Sequence, residues 1–87
     1  MAETFLLEVA TPERRLVAEQ AAEAQIPAAS GYVGILPGHA ALLAELGTGT
    51  LSFTASGRRR SLTVSGGWLE VAPGHVRVLA DTAEEAA

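Results

Sequence analysis

An all-β fold, a sandwich or barrel of short strands, is the class this sequence predicts. Three observations point to it. Apolar and polar residues alternate with a period of two in several short runs, the mark of half-buried strands. Turn-forming pairs separate those runs at close intervals: Thr11-Pro12, Ser30-Gly31, Pro37-Gly38, Ser56-Gly57, Gly66-Gly67 and Pro73-Gly74. The length of 87 residues suits one domain, and of its 42 apolar residues 17 are alanine, leaving 25 large enough to fill a core well.

The elements follow in order. Phe5, Leu7 and Val9 share one side of the first run, with Glu8 and Ala10 on the other. The segment Glu19-Gln20-Ala21-Ala22-Glu23-Ala24-Gln25 is built of good helix formers. Against helix, Ala22, Ala24 and Ile26 alternate with Glu23 and Gln25, no large apolar residue supplies a helical stripe, and Pro27 bounds the run. Helix and strand both stay open there. Leu51, Phe53 and Ala55 alternate with Ser52, Thr54 and Ser56, and Leu62 and Val64 alternate with Ser61, Thr63 and Ser65. Val76, Val78 and Ala80 alternate around Arg77.

Residues 31–44 and 67–80 echo each other at an offset of 36, with six identities in 14 positions. Each copy reads glycine, aromatic, strand, Pro-Gly-His turn, strand, which predicts two similar β-hairpins. At the end, Thr82-Ala83-Glu84-Glu85 has the spacing of a capping box and predicts the start of a helix. The competing expectation is an unstructured tail. The domain is therefore expected over residues 1–83, with a short acidic tail over 84–87.

Charge and composition exclude several classes. Six arginines, no lysine and ten acids give a net charge of −4, which excludes a basic nucleic-acid domain as a reading of the whole chain. Disorder is excluded by a charged fraction of 18% and a mean hydropathy of +0.25. Without cysteine there are no disulfides, thiolate nucleophiles or cysteine zinc sites. Glu3 stands where a signal peptide needs positive charge, so a soluble chain starting at Met1 or Ala2 is expected. Residues 24–44 carry no formal charge, but Pro27, Gly31, Gly34, Pro37 and Gly38 rule against a spanning helix.

Candidate chemistry is sparse. His39 and His75 each follow Pro-Gly and are expected at hairpin tips, as exposed turn residues or partner contacts rather than metal ligands. Ser65, His75 and Asp81 could be drawn as a hydrolase triad, but no Gly-x-Ser-x-Gly elbow occurs. Gly47-Thr48-Gly49 and Ser65-Gly66-Gly67 lack the phosphate-loop pattern and read as turns. Arg58-Arg59-Arg60 is the one basic cluster; a solvated charge run is its ordinary role, and an acidic ligand the alternative. Trp68 reads as a core anchor, while core and interface are both open for Tyr32 between Gly31 and Gly34.

Three motifs together resemble the epsilon subunit of bacterial F-type ATP synthases. They are Gly34-Ile35-Leu36-Pro37-Gly38-His39-Ala40-x-Leu42-Leu43, Ser65-Gly66-Gly67-x-Leu69-Glu70-Val71 and Val76-x-Val78-Leu79-Ala80-Asp81-Thr82-Ala83. Phe5-Leu6-Leu7-Glu8-Val9 fits the opening strand of that family's amino-terminal domain. The resemblance implies a flattened antiparallel β-sandwich of two sheets with about ten short strands, and strand over residues 22–26.

It also implies a non-catalytic central-stalk subunit that grips gamma, rests on the polar loops of the c-ring and turns with them. The alpha/beta catalytic hexamer is then an indirect partner, and proton or sodium flow drives synthesis elsewhere in the complex. The place implied is peripheral, on the cytoplasmic face of the bacterial inner membrane. No cofactor, metal or nucleic acid is implied. Contacts with gamma and the c-ring are expected from Gly31, Tyr32, Pro37, Gly38, His39 and Leu42. Relatives often carry an acidic residue where this chain has Tyr32, so a ring contact here would lean on aromatic packing and a phenol hydrogen bond. The family's carboxy-terminal helical hairpin would begin where this sequence stops, so inhibition and nucleotide binding by that hairpin are not carried over. The second reading is a free-standing sandwich that binds an acidic ligand through Arg58-Arg59-Arg60.

Overall fold

The computed structural model describes residues 3–85, and every regular element among them is a strand. In chain order these are β1 (Phe5–Ala10), β2 (Arg15–Ala21), β3 (Glu23–Ala28), β4 (Gly31–Ile35), β5 (Leu42–Glu45), β6 (Thr48–Ala55), β7 (Arg58–Ala72) and β8 (His75–Glu85). Alternation sets the strands: Phe5, Leu7 and Val9 are buried, and so are Leu51, Phe53 and Ala55, while their neighbours in sequence turn outward. Residues 23–26 are extended, so the alternation of Ala24 and Ile26 prevails over helix propensity, while Ala22, also expected in the strand, lies at a bend between β2 and β3.

The strands form one hydrogen-bonded ladder in the order β2-β1-β8-β7-β6-β3-β4, with β5 also paired to β7. β7 and β8 each pass through two layers. Residues 67–72 of β7 and 75–80 of β8 lie with β1, β2 and β5, whereas residues 58–65 and 82–85 lie with β6, β3 and β4. The expected count of about ten becomes eight, and two sheets become one continuous ladder, because these two long strands serve both layers. The bend sits at Gly66-Gly67. Gly67 has φ +112, and a Cβ there would come within 2.0 Å of the Leu79 carbonyl oxygen.

The layers close on one core, in which Leu7, Val9, Leu69, Val76 and Val78 from the first meet Ile26, Ile35, Leu51, Phe53, Leu62 and Val64 from the second. Full burial of each large side chain contributes about 1.5–3 kcal/mol before entropy is charged against it. The flattened body measures 34 × 28 × 21 Å, its short axis fitting two sheets about 10 Å apart with their outward side chains.

Three expectations are corrected. β1 pairs with β8 in parallel, Leu6 opposite His75 through Ala10 opposite Leu79, so the sandwich is not purely antiparallel. The two ends of the chain meet only after β2 to β7 have made the long crossover that parallel strands need. Only the second echo copy is a hairpin: β7 and β8 pair across Pro73-Gly74, but β4 pairs with β3 and β5 with β7. The Pro37-Gly38-His39 turn therefore carries the chain from the edge of one layer to the edge of the other. β2, over whose start the sequence reading makes no assignment, begins at Arg15. Finally, Thr82 to Glu85 are neither helix nor loose tail, because they pair with residues 62–65 of β7. Met1, Ala2, Ala86 and Ala87, on which the expected start and the end of the tail fall, lie outside the described residues.

Candidate functional site

β4 is an edge strand, and most of the contact residues expected from the sequence lie on it or just after it. Tyr32 is 59% exposed and stands opposite Pro27 of β3. Its phenol oxygen accepts the backbone N–H of Thr50 at 3.0 Å, where β6 has left the register of β3. Gly49 makes room, since a Cβ there would lie 2.5 Å from that oxygen. Tyr32 is thus a surface residue held by one polar contact, with its ring offered to solvent, and Gly31 beside it is exposed.

The turn that follows lies at the other end of β4. The His39 N–H donates to the Leu36 carbonyl at 3.1 Å, and His39 Nδ1 lies 2.7 Å from the Ala40 carbonyl oxygen. Gly38 and His39 share a small crevice with Phe5, Val71 and Gly74. Val33, Gly34, Ile35 and Leu36 separate the turn from Tyr32, a distance of about 16 Å at strand rise. The structure does not merge Gly31, Tyr32 and Pro37-Gly38-His39 into one patch; it places them at two ends of one edge. Leu42 turns inward against the core, and the outward position belongs to Leu43, which is 69% exposed. Sequence reasoning passes over Leu43, although its opposite parity to Leu42 is the available signal.

The outer face of the first layer continues from Leu43. A cross-strand row runs Ala10 of β1, Leu79 of β8, Trp68 of β7 and Glu45 of β5, each directly opposite the next. Trp68, expected as a core anchor, is instead 51% exposed. Its parity is opposite to that of buried Leu69 and Val71, and the pleat prevails over side-chain size. The neighbouring row is ionic. His75 Nε2–H donates to Glu8 Oε1 at 2.5 Å, Arg77 and Arg15 lie 3.7 and 3.8 Å from the same carboxylate, and Arg77 lies 3.9 Å from Glu70. The His75 hydrogen bond chiefly, with the charges of His75, Arg15 and Arg77, holds the Glu8 carboxyl below the usual carboxylate range against the opposing effect of desolvation.

The arginine cluster at the β6–β7 turn is mostly spoken for. Arg59 donates to Glu23 at 2.8 Å and to Ser52 at 2.9 Å. Arg60 pairs with Glu19 of β2 and, at 2.7 Å, with Glu85 of β8, and its guanidinium lies 5.3 Å from the centre of the Phe53 ring. Glu85 first, and then Glu19, push the Arg60 pKa up against desolvation. Among the described residues only Arg58 of the three forms no ion pair. A cluster so neutralised from within is poorly placed to take an external acidic ligand.

The outer face of the second layer carries short hydroxyls: Thr48 opposite Ser65, Thr50 opposite Thr63, and Ser52 opposite Ser61. Thr48 and Ser65 share a hydrogen bond of 2.8 Å. The drawn triad is not assembled. Ser65 is engaged with Thr48, and His75 lies six residues along β8 from Asp81, about 20 Å in a strand. No group of three His, Asp or Glu is placed to hold a metal among the described residues, and none of their polar side chains is buried. No helix among them is long and apolar enough to cross a membrane. Three surfaces are thus distinguished among the described residues: one apolar and ionic face, one hydroxyl face, and the β4 edge.

Residues 4–86 match the family described as ATP synthase, Delta/Epsilon chain, beta-sandwich domain. The chain is 60% identical over 86 residues to the ATP synthase epsilon chain of Solibacter usitatus, covering 99% of this chain and 64% of that one. It is 45% identical over 84 residues to that of Koribacter versatilis, covering 97% and 59%. The chain thus spans less than two thirds of the length of these relatives. In three dimensions it resembles a chain of the Euglena gracilis mitochondrial ATP synthase with OSCP, F1 and c-ring, at a TM-score of 0.87 and 24% identity, covering 95% of this chain and 54% of that one. A chain of the Tetrahymena thermophila ATP synthase central stalk and c-ring aligns at a TM-score of 0.74 and 16% identity, covering 91% and 64%.

Proposed function

Because the chain belongs to the ATP synthase delta/epsilon beta-sandwich family, we propose that it is an epsilon-type element of the central stalk of an F-type ATP synthase. It carries out no chemistry itself. It binds gamma, rests on the polar loops of the c-ring and turns with both, so that proton or sodium flow through the membrane sector reaches the alpha/beta hexamer as rotation. Its place is peripheral, on the cytoplasmic face of a bacterial inner membrane.

The observation that carries this reading is the asymmetry of the two outer faces. Leu43, Trp68 and Leu79 stand out from one layer, while the other presents Thr48, Thr50, Ser52, Ser61 and Thr63, with Tyr32 at its β4 edge the one large exposed apolar side chain on the described strands of that layer. Apolar side chains gathered on one face suit lasting burial against a partner, and a hydroxyl face suits water. A sandwich closed on one core supplies the stiffness that torque transfer requires. The ends of β4 serve two partners: Gly31 and Tyr32 meet the c-ring loops, and the Pro37-Gly38-His39 turn meets the foot of gamma with Leu42 behind it.

The experiment is co-expression of the chain with gamma and with the alpha and beta subunits. The chain is expected to elute with gamma and the hexamer at stoichiometric yield. Elution of the chain alone, with a gamma-containing hexamer recovered separately, contradicts the assignment.

A further inference from the structure

We infer that the cleft over Trp68 is a socket for a basic side chain, foremost an arginine, presented by a protein partner on the outer face of the first layer. This rests on the stalk reading and specifies the chemistry of one contact within it.

The cleft has a volume of about 510 Å³ and is lined by Ala10, Pro12, Trp68, Leu79, Glu45 and Asp81 among others. Its floor is the row Ala10, Leu79, Trp68, and the row ends on the carboxylate of Glu45. Asp81 closes a second side, leaning over Gly66, where a Cβ would come within 2.5 Å of its Oδ2. The bend at Gly66-Gly67 is what brings this acid, from the point where β8 changes layer, to the side of the indole.

The electrostatics select the occupant. Glu8, Glu19, Glu23, Glu70 and Glu85 each face an arginine, but among the described residues Glu45 and Asp81 form no ion pair, and no arginine lines the cleft. An anionic group would be repelled by both carboxylates. An aliphatic side chain would cover the indole but strip water from the acids without replacing its hydrogen bonds. A guanidinium stacks on the exposed indole face and donates to carboxylates on either side, so it alone satisfies floor and rim together. Lysine fits the charge but lacks the planar fork.

Trp68 is the only tryptophan of the chain, so 5-fluorotryptophan incorporated there reports on the socket by ¹⁹F NMR. The labelled chain is titrated with gamma, and affinity is measured across a salt series for the wild type, for Glu45→Gln/Asp81→Asn, and for Glu13→Gln/Glu84→Gln as a control removing the same charge elsewhere. The expected result is a shifted resonance on binding and an affinity loss of about 10-fold in the socket variant, with a shallower salt dependence and an unchanged control. Trp68→Leu, which keeps an apolar floor, is expected to bind several-fold more weakly. Equal affinity and equal salt slope for the socket variant and the wild type overturn the socket while leaving the stalk reading standing. Failure of the wild type to bind gamma at any salt overturns both. Self-association of the free chain that the socket variant abolishes assigns the cleft to a second copy and also overturns the proposal. Both acids are exposed, and melting curves of the free variants confirm that affinity, not folding, is being read.

Discussion

The phenol oxygen of Tyr32 accepts the Thr50 N–H at 3.0 Å and so supplies the partner that β3 no longer provides to β6. One side chain on the β4 edge thereby both tethers that edge and presents its ring to solvent. Tyr32→Phe removes the tether and keeps the ring. A hydrogen bond of this kind contributes about 0.5–1.5 kcal/mol, so the isolated domain is expected to melt roughly 2–12 °C lower. Tyr32→Ala, which also removes the ring, is expected to weaken docking to the complex about 5- to 30-fold beyond any effect of Tyr32→Phe. Equal docking by the two variants and the wild type contradicts an interface role for the ring.

Arg60 ties together strands that are distant in the chain, reaching Glu19 on β2 and Glu85 on β8 while covering Phe53. Arg60→Met keeps much of the cover and loses both ion pairs. The expected cost is about 1–2 kcal/mol at low salt, smaller at high salt. Hydrogen exchange should show earlier opening of residues 82–85. A variant as stable as the wild type, with unchanged exchange there, contradicts the clasp.

Glu8 makes stability depend on pH. Its folded-state pKa lies below the ordinary carboxylate value, through the His75 hydrogen bond first. The unfolded chain therefore takes up the proton before the folded one does, and the contribution of Glu8 is complete above the unfolded value and lost as pH falls through the folded one. Glu8→Gln is expected to flatten the acid limb of the curve of melting temperature against pH. An acid limb of unchanged slope contradicts this assignment.

The bend between layers gives a prediction by contrast. Gly67 and Gly57 both have positive φ, but a Cβ at Gly67 meets the Leu79 carbonyl oxygen at 2.0 Å, whereas at Gly57 it meets nothing within 4 Å. Gly57→Ala is expected to cost about 1 kcal/mol from the left-handed backbone alone. Gly67→Ala adds a backbone clash to the strain and is expected to cost more than about 3 kcal/mol, enough to leave little folded protein. Circular dichroism melts of the two proteins decide it, and similar melting temperatures contradict a bend that only glycine can make.

Much of this fold is legible in the sequence where the pleat alone decides. In β1, β6, β7 and β8 the parity of Leu7, Phe53, Val64 and Val78 is enough to mark the core face. Legibility fails where pairing is long-range. Nothing near Thr82 announces that residues 62–65 will claim its backbone, so the local capping pattern has no visible rival. Nothing in residues 31–44 announces that β4 will pair with β3 and β5 with β7 rather than with each other. At the surface, size misleads: Trp68 reads as core by its bulk, yet its parity beside Leu69 places it outside. Leu42 and Leu43 differ only in parity, and that alone assigns one inward and the other outward.

That this sandwich couples rotation to ion movement is tested most directly by ATP-driven proton pumping. Inverted membrane vesicles stripped of their own epsilon subunit are supplied with this chain and ATP, and internal acidification is followed by quenching of a pH-sensitive dye. Pumping per ATP hydrolysed is expected to rise on addition of the chain and to fall back with the socket variant Glu45→Gln/Asp81→Asn. Hydrolysis that stays uncoupled, with pumping the same whether or not the chain is present, would contradict the coupling role.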